Sequence, residues 1–238
     1  SKRGNILLDK KNNFTGSLSL KTQGDIFLAN DSTIRLAALS GNNVTLTSGS
    51  DITSTGSVNV TGLATLHSNG STNLTSIDNN FNRVDMTSNG NVAITDRNNL
   101  TIESIQAKGN VEISAAGPIV VANLCTDNCG TISAVKGDNV ILKSGQSLRV
   151  EGALSAANAL SLNADSAIII NNVTAKSIDA LFNGNLSLLE NGRLIATGQS
   201  SMTQRAESVN PQGGIESPAK SVNALFKANL SSSESGGV

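Results

Sequence analysis

The sequence predicts an all-β fold, a right-handed parallel β-helix (β-solenoid) with coils of about 18–21 residues. Short segments with aliphatic residues at alternate positions recur along the chain, and their spacing repeats. The composition agrees, because Asn, Ser, Thr and Gly are very common while Pro occurs only three times. Such a composition favours short strands separated by polar turns.

The predicted strands are four residues long, with aliphatic residues at positions two and four in nearly all of them. Position three is usually polar or small. Because successive side chains of a strand point to opposite faces, positions two and four face a core and position three faces water. The segments are 5–8, 17–20, 25–28, 33–36, 43–46, 57–60, 83–86, 91–94, 99–102, 110–113, 139–142, 147–150, 159–162, 167–170 and 185–188.

This pattern predicts which side chains are buried in parallel, stacked strands. Arg35, Glu112 and Arg149 are expected outside. The residues expected in the core are Leu18, Leu20, Ile26, Leu28, Val44, Leu46, Val92, Ile94, Val111, Ile113, Val140 and Leu142.

The coil length follows from the recurrence of the aliphatic pairs, for example from 26 to 44 and from 92 to 111. One coil alone buries few side chains. It becomes stable when neighbouring coils stack at about 4.8 Å and share hydrogen bonds and an aliphatic interior.

Longer self-similarity also indicates an array. Residues 12–46 realign with 79–113 at an offset of 67, with one residue dropped after the Phe, and residues 175–182 realign with 219–226 at an offset of 44. Phe14, Phe81, Phe182 and Phe226 are predicted to stand just before a strand and to fill one recurring core position.

The domain prediction divides the chain into three parts. Residues 1–197 form the β-helix shaft, residues 198–218 form a flexible insertion or linker, and residues 219–238 form a partial further coil or tail. The alternation fails in 198–218, where Gln, Ser, Pro and Gly accumulate. It resumes afterwards.

Composition argues against several partners. The net charge is −1 with Lys and Arg scattered, and there is no Trp or Tyr, so we expect no nucleic-acid partner. No apolar run is long enough to span a membrane. We expect no cofactor, because phosphate-cradling glycine loops and the calcium-binding nonapeptide are absent from the sequence.

We expect that the chain is not an enzyme, and no catalytic or metal-binding residue is assigned. The acidic residues are sparse and isolated in the sequence. Stacking of the coils is expected to bring some together, for example Glu112 with Asp85 on an outer face, where they form an exposed charge pair and not a catalytic pair. His67 has no orienting partner adjacent in sequence. A zinc site is disfavoured because His67 is the only His and lies far from both Cys.

Three segments resemble the degenerate repeats of filamentous-haemagglutinin-like exoproteins of two-partner secretion systems: Asn13-Phe-Thr-Gly-Ser-Leu-Ser-Leu20, Gly56-Ser-Val-Asn-Val-Thr-Gly62 and Gly109-Asn-Val-Glu-Ile-Ser-Ala115. The resemblance covers roughly residues 4–195. It implies a β-helix shaft exported through an outer-membrane secretion partner to the bacterial cell surface, where such virulence-associated adhesins serve adhesion, aggregation or toxin presentation. The secretion-domain motif of that family has only a faint counterpart at residues 210–213, so we expect this chain to lie downstream of that domain.

Cys125 and Cys129 are the two cysteines. In an oxidising compartment they would close a small loop as a disulfide, and the alternative is two reduced thiols. The secretion implied by the resemblance favours the disulfide.

Three functions remain open at this point. The first is an adhesive structural shaft whose outer face or loops, especially 122–131 and 198–218, contact a cell-surface receptor or glycan on a host or a sister cell. The second is a polysaccharide-acting β-helix enzyme. The third is the stalk or receptor-binding segment of a contact-dependent toxin.

Overall fold

In a computed structural model the chain is a β-solenoid of about 9 turns, built from parallel strands. The structure describes residues 4–123, 134–189 and 191–198, and it describes 202–206, 208–211, 214–216 and 222–226 as backbone strands. Within these ranges the regular elements are all strands, and no helix occurs. The predicted parallel β-solenoid is therefore confirmed.

The strands are short, and most are separated by turns of a few residues. Their bounds are β1 (Ile6–Asn12), β2 (Ser17–Lys21), β3 (Ile26–Asn30), β4 (Ile34–Gly41), β5 (Val44–Ser48), β6 (Ile52–Ser54), β7 (Val58–Ser68), β8 (Thr72–Leu74), β9 (Asn80–Ser88), β10 (Val92–Asp96), β11 (Leu100–Ala107), β12 (Val111–Ala115), β13 (Ile119–Val121) and β14 (Val135–Gly137). They continue as β15 (Val140–Ser144), β16 (Ser147–Val150), β17 (Leu154–Ala156), β18 (Ala159–Ala164), β19 (Ser166–Ile169), β20 (Asn172–Ala175), β21 (Ser177–Phe182), β22 (Asn185–Leu188), β23 (Arg193–Ala196), β24 (Met202–Ala206), β25 (Ser208–Pro211), β26 (Gly214–Glu216) and β27 (Val222–Phe226).

The strands stack in three parallel columns, which we call faces 1, 2 and 3. Face 1 begins with β1, β3 and β5 and continues through the later halves of β7, β9 and β11 to β14, β17, β20, β23 and β26. Face 2 contains the start of β4, then β6, β8, β10, β12, β15, β18, β21, β24 and β27. Face 3 runs from the end of β4 through the first halves of β7, β9 and β11 to β13, β16, β19, β22 and β25.

The register of the strands gives the length of each turn. Val44 lies opposite Ile26 and Ala64 opposite Val44, so these turns contain 18 and 20 residues. The turn from Val111 to Val140 is longer, at 29 residues, because residues 122–134 are inserted between β13 and β14. Most turns thus have the predicted length.

The interior is a continuous stack of aliphatic side chains from Ile26 to Ala196. Of the twelve residues predicted to be buried, ten are buried, whereas Leu18 and Leu20 are only partly buried. Both belong to β2, which pairs among the described residues only with β4, so the described residues cover these side chains with a neighbouring coil on one side. Arg35 and Glu112 are exposed, and 42% of the Arg149 side chain is exposed, so the three residues predicted to lie outside do so.

The alternation predicted for residues 167–170 is wrong by one residue. Ala167 and Ile169 stack on the core residues Leu148 and Val150 and are buried, whereas Ile168, predicted to face the core, is exposed.

The 67-residue self-similarity does not equal a whole number of turns. Ile26 lies on face 1, whereas its counterpart Val92 lies on face 2, three turns and one face later. The 44-residue offset, in contrast, joins β21 to β27 on the same face, two turns apart. The array therefore reuses one local motif at different corners.

The recurring Phe position is wrong as a general rule. Phe81 is the second residue of β9 and is buried, whereas Phe182 ends β21 and is also buried. Phe182 lies just before β22, as predicted, but Phe81 lies inside β9, so the two residues do not occupy the same position. The side chain of Phe226 lies outside the described residues. The role of Phe81 and Phe182 as core residues is confirmed.

The predicted insertion 198–218 contains β24, β25 and β26, and the predicted tail contains β27. Each of these strands pairs in parallel with the strand one turn earlier on its face. The division of the chain into domains stays a prediction.

Candidate interaction surfaces

One corner of the solenoid, where the chain enters face 2, carries a ladder of polar side chains that we call the cap ladder. In each step a side-chain oxygen accepts a hydrogen bond from the backbone N–H one turn later. The steps are Ser71 N to Asp51 Oδ1 (2.7 Å), Asn91 N to Ser71 Oγ (3.1 Å), Asn110 N to Asn91 Oδ1 (2.8 Å), Asn139 N to Asn110 Oδ1 (3.3 Å) and Ala159 N to Asn139 Oδ1 (3.1 Å). These bonds satisfy corner N–H groups that lie outside the strand ladders.

The cap ladder explains the glycines that precede its residues. A Cβ at Gly70, Gly90 or Gly109 would overlap the capping oxygen of Asp51, Ser71 or Asn91, respectively, in the turn before. The same relationship holds for Gly117, where a Cβ would lie 2.5 Å from Asn99 Oδ1. Glycine is therefore required at these positions by close approach of the preceding turn.

A groove of about 960 Å³ lies on the outside of face 2. The outward side chains Glu112, Ile141, Ser161 and Asp179 stack there in register, one per turn. The full lining is Asn110, Val111, Glu112, Asn139, Val140, Ile141, Ala159, Leu160, Ser161, Ser177, Ile178, Asp179 and Leu181. The groove is lined at one edge by Asn110, Asn139 and Ala159 of the cap ladder. Ser177, stacked on Ala159 one turn later, continues this edge with another small side chain.

The two carboxylates of the groove are far apart. Glu112 Oε1 lies 3.1 Å from Lys143 Nζ, and both side chains are about half exposed. Asp179 is exposed three turns further along. Three steps of about 4.8 Å separate the two positions by about 14 Å, beyond the roughly 5–10 Å over which a carboxylate pair hydrolyses glycosides.

The expected charge pair of Asp85 with Glu112 is wrong. Asp85 lies on face 1 between Thr65 and Ser104, whereas Glu112 lies on face 2 between Ala93 and Ile141. Glu112 comes one turn and one face after Asp85 along the chain, so the two carboxylates lie on different faces of the solenoid.

His67 is exposed on face 1, stacked between Thr47 and Thr87. It helps to line a smaller groove of about 320 Å³ together with Lys11, Asp31 and Asn69. Across the residues that the structure describes, no group of three or more His, Cys, Asp or Glu side chains is placed to hold a metal ion. No helix long and apolar enough to span a membrane occurs in the same ranges.

A buried polar corner closes strand β3. Asn30 is 3% exposed and accepts a hydrogen bond of 2.7 Å from Phe14 N. Its Nδ2 donates to the carbonyl oxygens of Phe14, Ser32 and Thr33 at 3.1–3.2 Å. Asn12 Nδ2 braces the same corner by donating to Ala29 O at 2.9 Å.

The end of β10 repeats this corner with a carboxylate. Asp96 is 1% exposed and accepts hydrogen bonds from Phe81 N at 2.7 Å and from Asn98 N at 3.0 Å. Asn79 Nδ2 donates to Thr95 O at 3.1 Å, as Asn12 Nδ2 does to Ala29 O. Burial raises the pKa of Asp96 above its ordinary value of 3.8, and it outweighs the two N–H donors and Arg97, which lower the pKa.

Sequence reasoning missed this buried carboxylate, although a signal was present. The 67-residue alignment, with its one dropped residue, places Asn30 on Asp96, and both residues sit at a core-facing position of their strand. Cys125 and Cys129, predicted as a disulfide, and most of the 122–131 loop lie outside the described residues.

Comparison with known protein families matches part of the chain to a family of repeats. Residues 23–87 match a family described as "Repeats of unknown function (DUF5649)". The matched segment runs from just before β3 almost to the end of β9. No curated protein and no solved structure matches the chain.

Proposed function

We propose that this chain is a structural and adhesive shaft segment of a large secreted bacterial surface exoprotein, which attaches to host cells, surfaces or sister cells. The continuous aliphatic interior from Ile26 to Ala196 carries the proposal. Since the interior is filled by core side chains, ligands contact the outside of the rod. About 9 turns at about 4.8 Å per turn give a rod on the order of 40 Å long.

The repeat architecture supports a shaft. Each turn contacts mainly its neighbours, so the array extends by adding turns without changing the core. The reuse of one motif at two corners, together with the match of residues 23–87 to a repeat family, fits growth by duplication. The resemblance of the repeats to filamentous-haemagglutinin-like exoproteins supports the finer proposal of two-partner secretion through an outer-membrane partner.

Among the described residues, the groove on face 2 is the best candidate contact surface. It combines the partly exposed aliphatics Ile141 and Leu181 with the polar side chains of Ser161 and Asn139 and the carboxylate of Asp179. A concave surface with a few polar groups suits a receptor segment or a glycan chain lying along the rod. The predicted contact loops, 122–131 and 198–218, remain further candidates.

A polysaccharide-acting enzyme is the second candidate, and the groove is the observation that favours it. The separation of about 14 Å between Glu112 and Asp179 argues against a paired-carboxylate mechanism there. The adhesive shaft is therefore the better-supported function.

The experiment is a binding assay with the purified, fluorescently labelled chain on epithelial cells, sister bacteria and abiotic surfaces. We expect saturable binding to at least one of them, and unlabelled chain should compete with it. The Val111→Asp variant, in which the aliphatic stack is disrupted, is the control that shows whether binding requires the folded solenoid. Absence of saturable binding to all three surfaces would contradict adhesion by this segment.

A further inference from the structure

We infer that Asp96 is a proton-binding residue that tightens the corner joining β8, β9 and β10 when the surroundings become acidic. The corner at Asn30 has the same construction, with an amide in place of the carboxyl group. Nothing in this inference depends on the adhesive function.

The amide of Asn30 serves as both acceptor and donor. Its Oδ1 accepts from Phe14 N, and its Nδ2 donates to the carbonyl oxygens of Phe14, Ser32 and Thr33. By the 67-residue alignment, with its one dropped residue, the equivalent carbonyls at the second corner belong to Phe81, Asn98 and Asn99. The ionised Asp96 accepts from Phe81 N and Asn98 N but has no proton to donate to these carbonyls.

Protonation supplies the missing donor. In the neutral carboxylic acid Oδ1 still accepts from Phe81 N. The proton is carried by Oδ2, which weakens the bond from Asn98 N, and the new O–H donates to a carbonyl as the Asn30 amide does. The proton comes from solvent, and no other group changes its charge. Since Asp96 is 1% exposed, removing its charge also removes most of the cost of burial.

The surroundings of Asp96 contain little positive charge to hold it ionised. Arg97, next in the chain, is the charged residue that acts on it and lowers its pKa, but burial outweighs Arg97. The other elements packed against it contribute uncharged residues: Asn79 from the preceding turn, Phe81 from β9 and Ala115 from β12. Asp78, in the same turn as Asn79, is exposed.

The sign of the pH dependence follows from the raised pKa. The folded corner binds the proton more tightly than the unfolded chain, so its stabilisation is fully present below the unfolded pKa of about 3.8 and is lost as pH rises through the folded pKa. Each unit by which the pKa is raised corresponds to about a tenfold change in the ratio of closed to open corner.

The test uses the full 238-residue chain and the reciprocal variants Asp96→Asn and Asn30→Asp. Carboxyl carbon NMR should show Asp96 titrating above 3.8. Hydrogen-exchange protection of the Phe81 amide, corrected for intrinsic exchange, should rise on acidification in the wild type and become insensitive to pH in Asp96→Asn. In Asn30→Asp the Phe14 amide should gain the same acid-dependent protection.

Two results would overturn the inference. One is an Asp96 that titrates at or below 3.8. The other is Phe81 protection that changes with pH equally in the wild type and in Asp96→Asn, because the responding group would then lie elsewhere. The NMR titration stays informative if Asn30→Asp does not fold.

Discussion

Asn91 Oδ1 accepts a hydrogen bond of 2.8 Å from the backbone N–H of Asn110, the residue stacked on it one turn later. The next residues of the two turns, Val92 and Val111, pair in the interior. One position in each turn thus bonds the next coil from outside, and the following position packs it from inside. This coupling explains why a polar residue directly precedes an aliphatic one so often in the sequence.

Replacing Asn91 by Ala should destabilise the chain by about 1 kcal/mol, because the Asn110 N–H loses its partner and must turn to water. The free energy of unfolding from chemical denaturation measures this. Asn89→Ala is the matched control, since its side chain is exposed and donates a long hydrogen bond of 3.5 Å to Asn69 Oδ1. Equal effects of the two substitutions would show that the cap ladder does not stabilise the corner.

Gly109→Ala should destabilise the chain by about 1–3 kcal/mol, because the new Cβ overlaps Asn91 Oδ1. Gly16→Ala is the control, since no atom lies within 4 Å of a Cβ at that position, and its effect should stay within about 0.5 kcal/mol. In the Asn91→Ala background the cost of Gly109→Ala should fall. Strict additivity of the two substitutions would contradict the direct contact.

Val111→Asp should destabilise the chain by about 3 kcal/mol or more, because it places an unpaired carboxylate in the aliphatic stack. Glu112→Ala, one residue away on the outside, removes a half-exposed ion pair with Lys143 and should cost less than about 1 kcal/mol. Thermal or chemical unfolding followed by far-ultraviolet circular dichroism compares the two. A loss of less than about 1 kcal/mol in the free energy of unfolding of Val111→Asp would mean that the Val111 side chain is not in the core.

The inside of the solenoid was predictable from the sequence because alternation records burial directly. Ile26 and Leu28 and the aliphatic residues at positions two and four of the later predicted strands follow this rule in every described case but one, since in 167–170 Ala167 and Ile169 are buried and Ile168 is exposed. Leu18 and Leu20 follow the alternation but are only partly buried, because burial also depends on a neighbouring coil and the sequence pattern does not record one.

The arrangement of the outside was not predictable in the same way. Alternation shows that Asp85 and Glu112 point outward, but not that they lie on different faces, because the face depends on the summed lengths of all intervening turns. The groove has the same origin, since it requires Glu112, Ile141, Ser161 and Asp179 to fall in register across turns of 29, 20 and 18 residues.

Asp25 should respond to pH in the opposite direction to Asp96. Hydrogen bonds from Asn43 N and from the side chains of Asn42 and Asn43 lower the pKa of Asp25. Its stabilising effect is therefore present above the unfolded pKa of 3.8 and is lost as pH falls through the folded value. In Asp25→Asn the free energy of unfolding should fall less steeply as the pH is lowered. An Asp25 that titrates at or above 3.8 by NMR would contradict this expectation.

Ser161→Arg should reduce attachment, because a long side chain would fill the middle of the groove on face 2. Thr45→Arg places the same side chain at an outward position of face 1 and should leave attachment unchanged. Circular dichroism of both variants should match the wild type. If Thr45→Arg reduces attachment as much as Ser161→Arg, the effect comes from added charge and not from the groove.

The most direct test of the adhesive shaft is to measure attachment and polysaccharide turnover on the same preparation. The purified chain is incubated with neutral and acidic polysaccharides while released chain ends are counted, and Glu112→Gln and Asp179→Asn are run in parallel. We expect saturable attachment to cells or surfaces and no chain ends above the no-protein control. Release of chain ends by the wild type that either substitution abolishes would contradict the shaft and identify an enzyme.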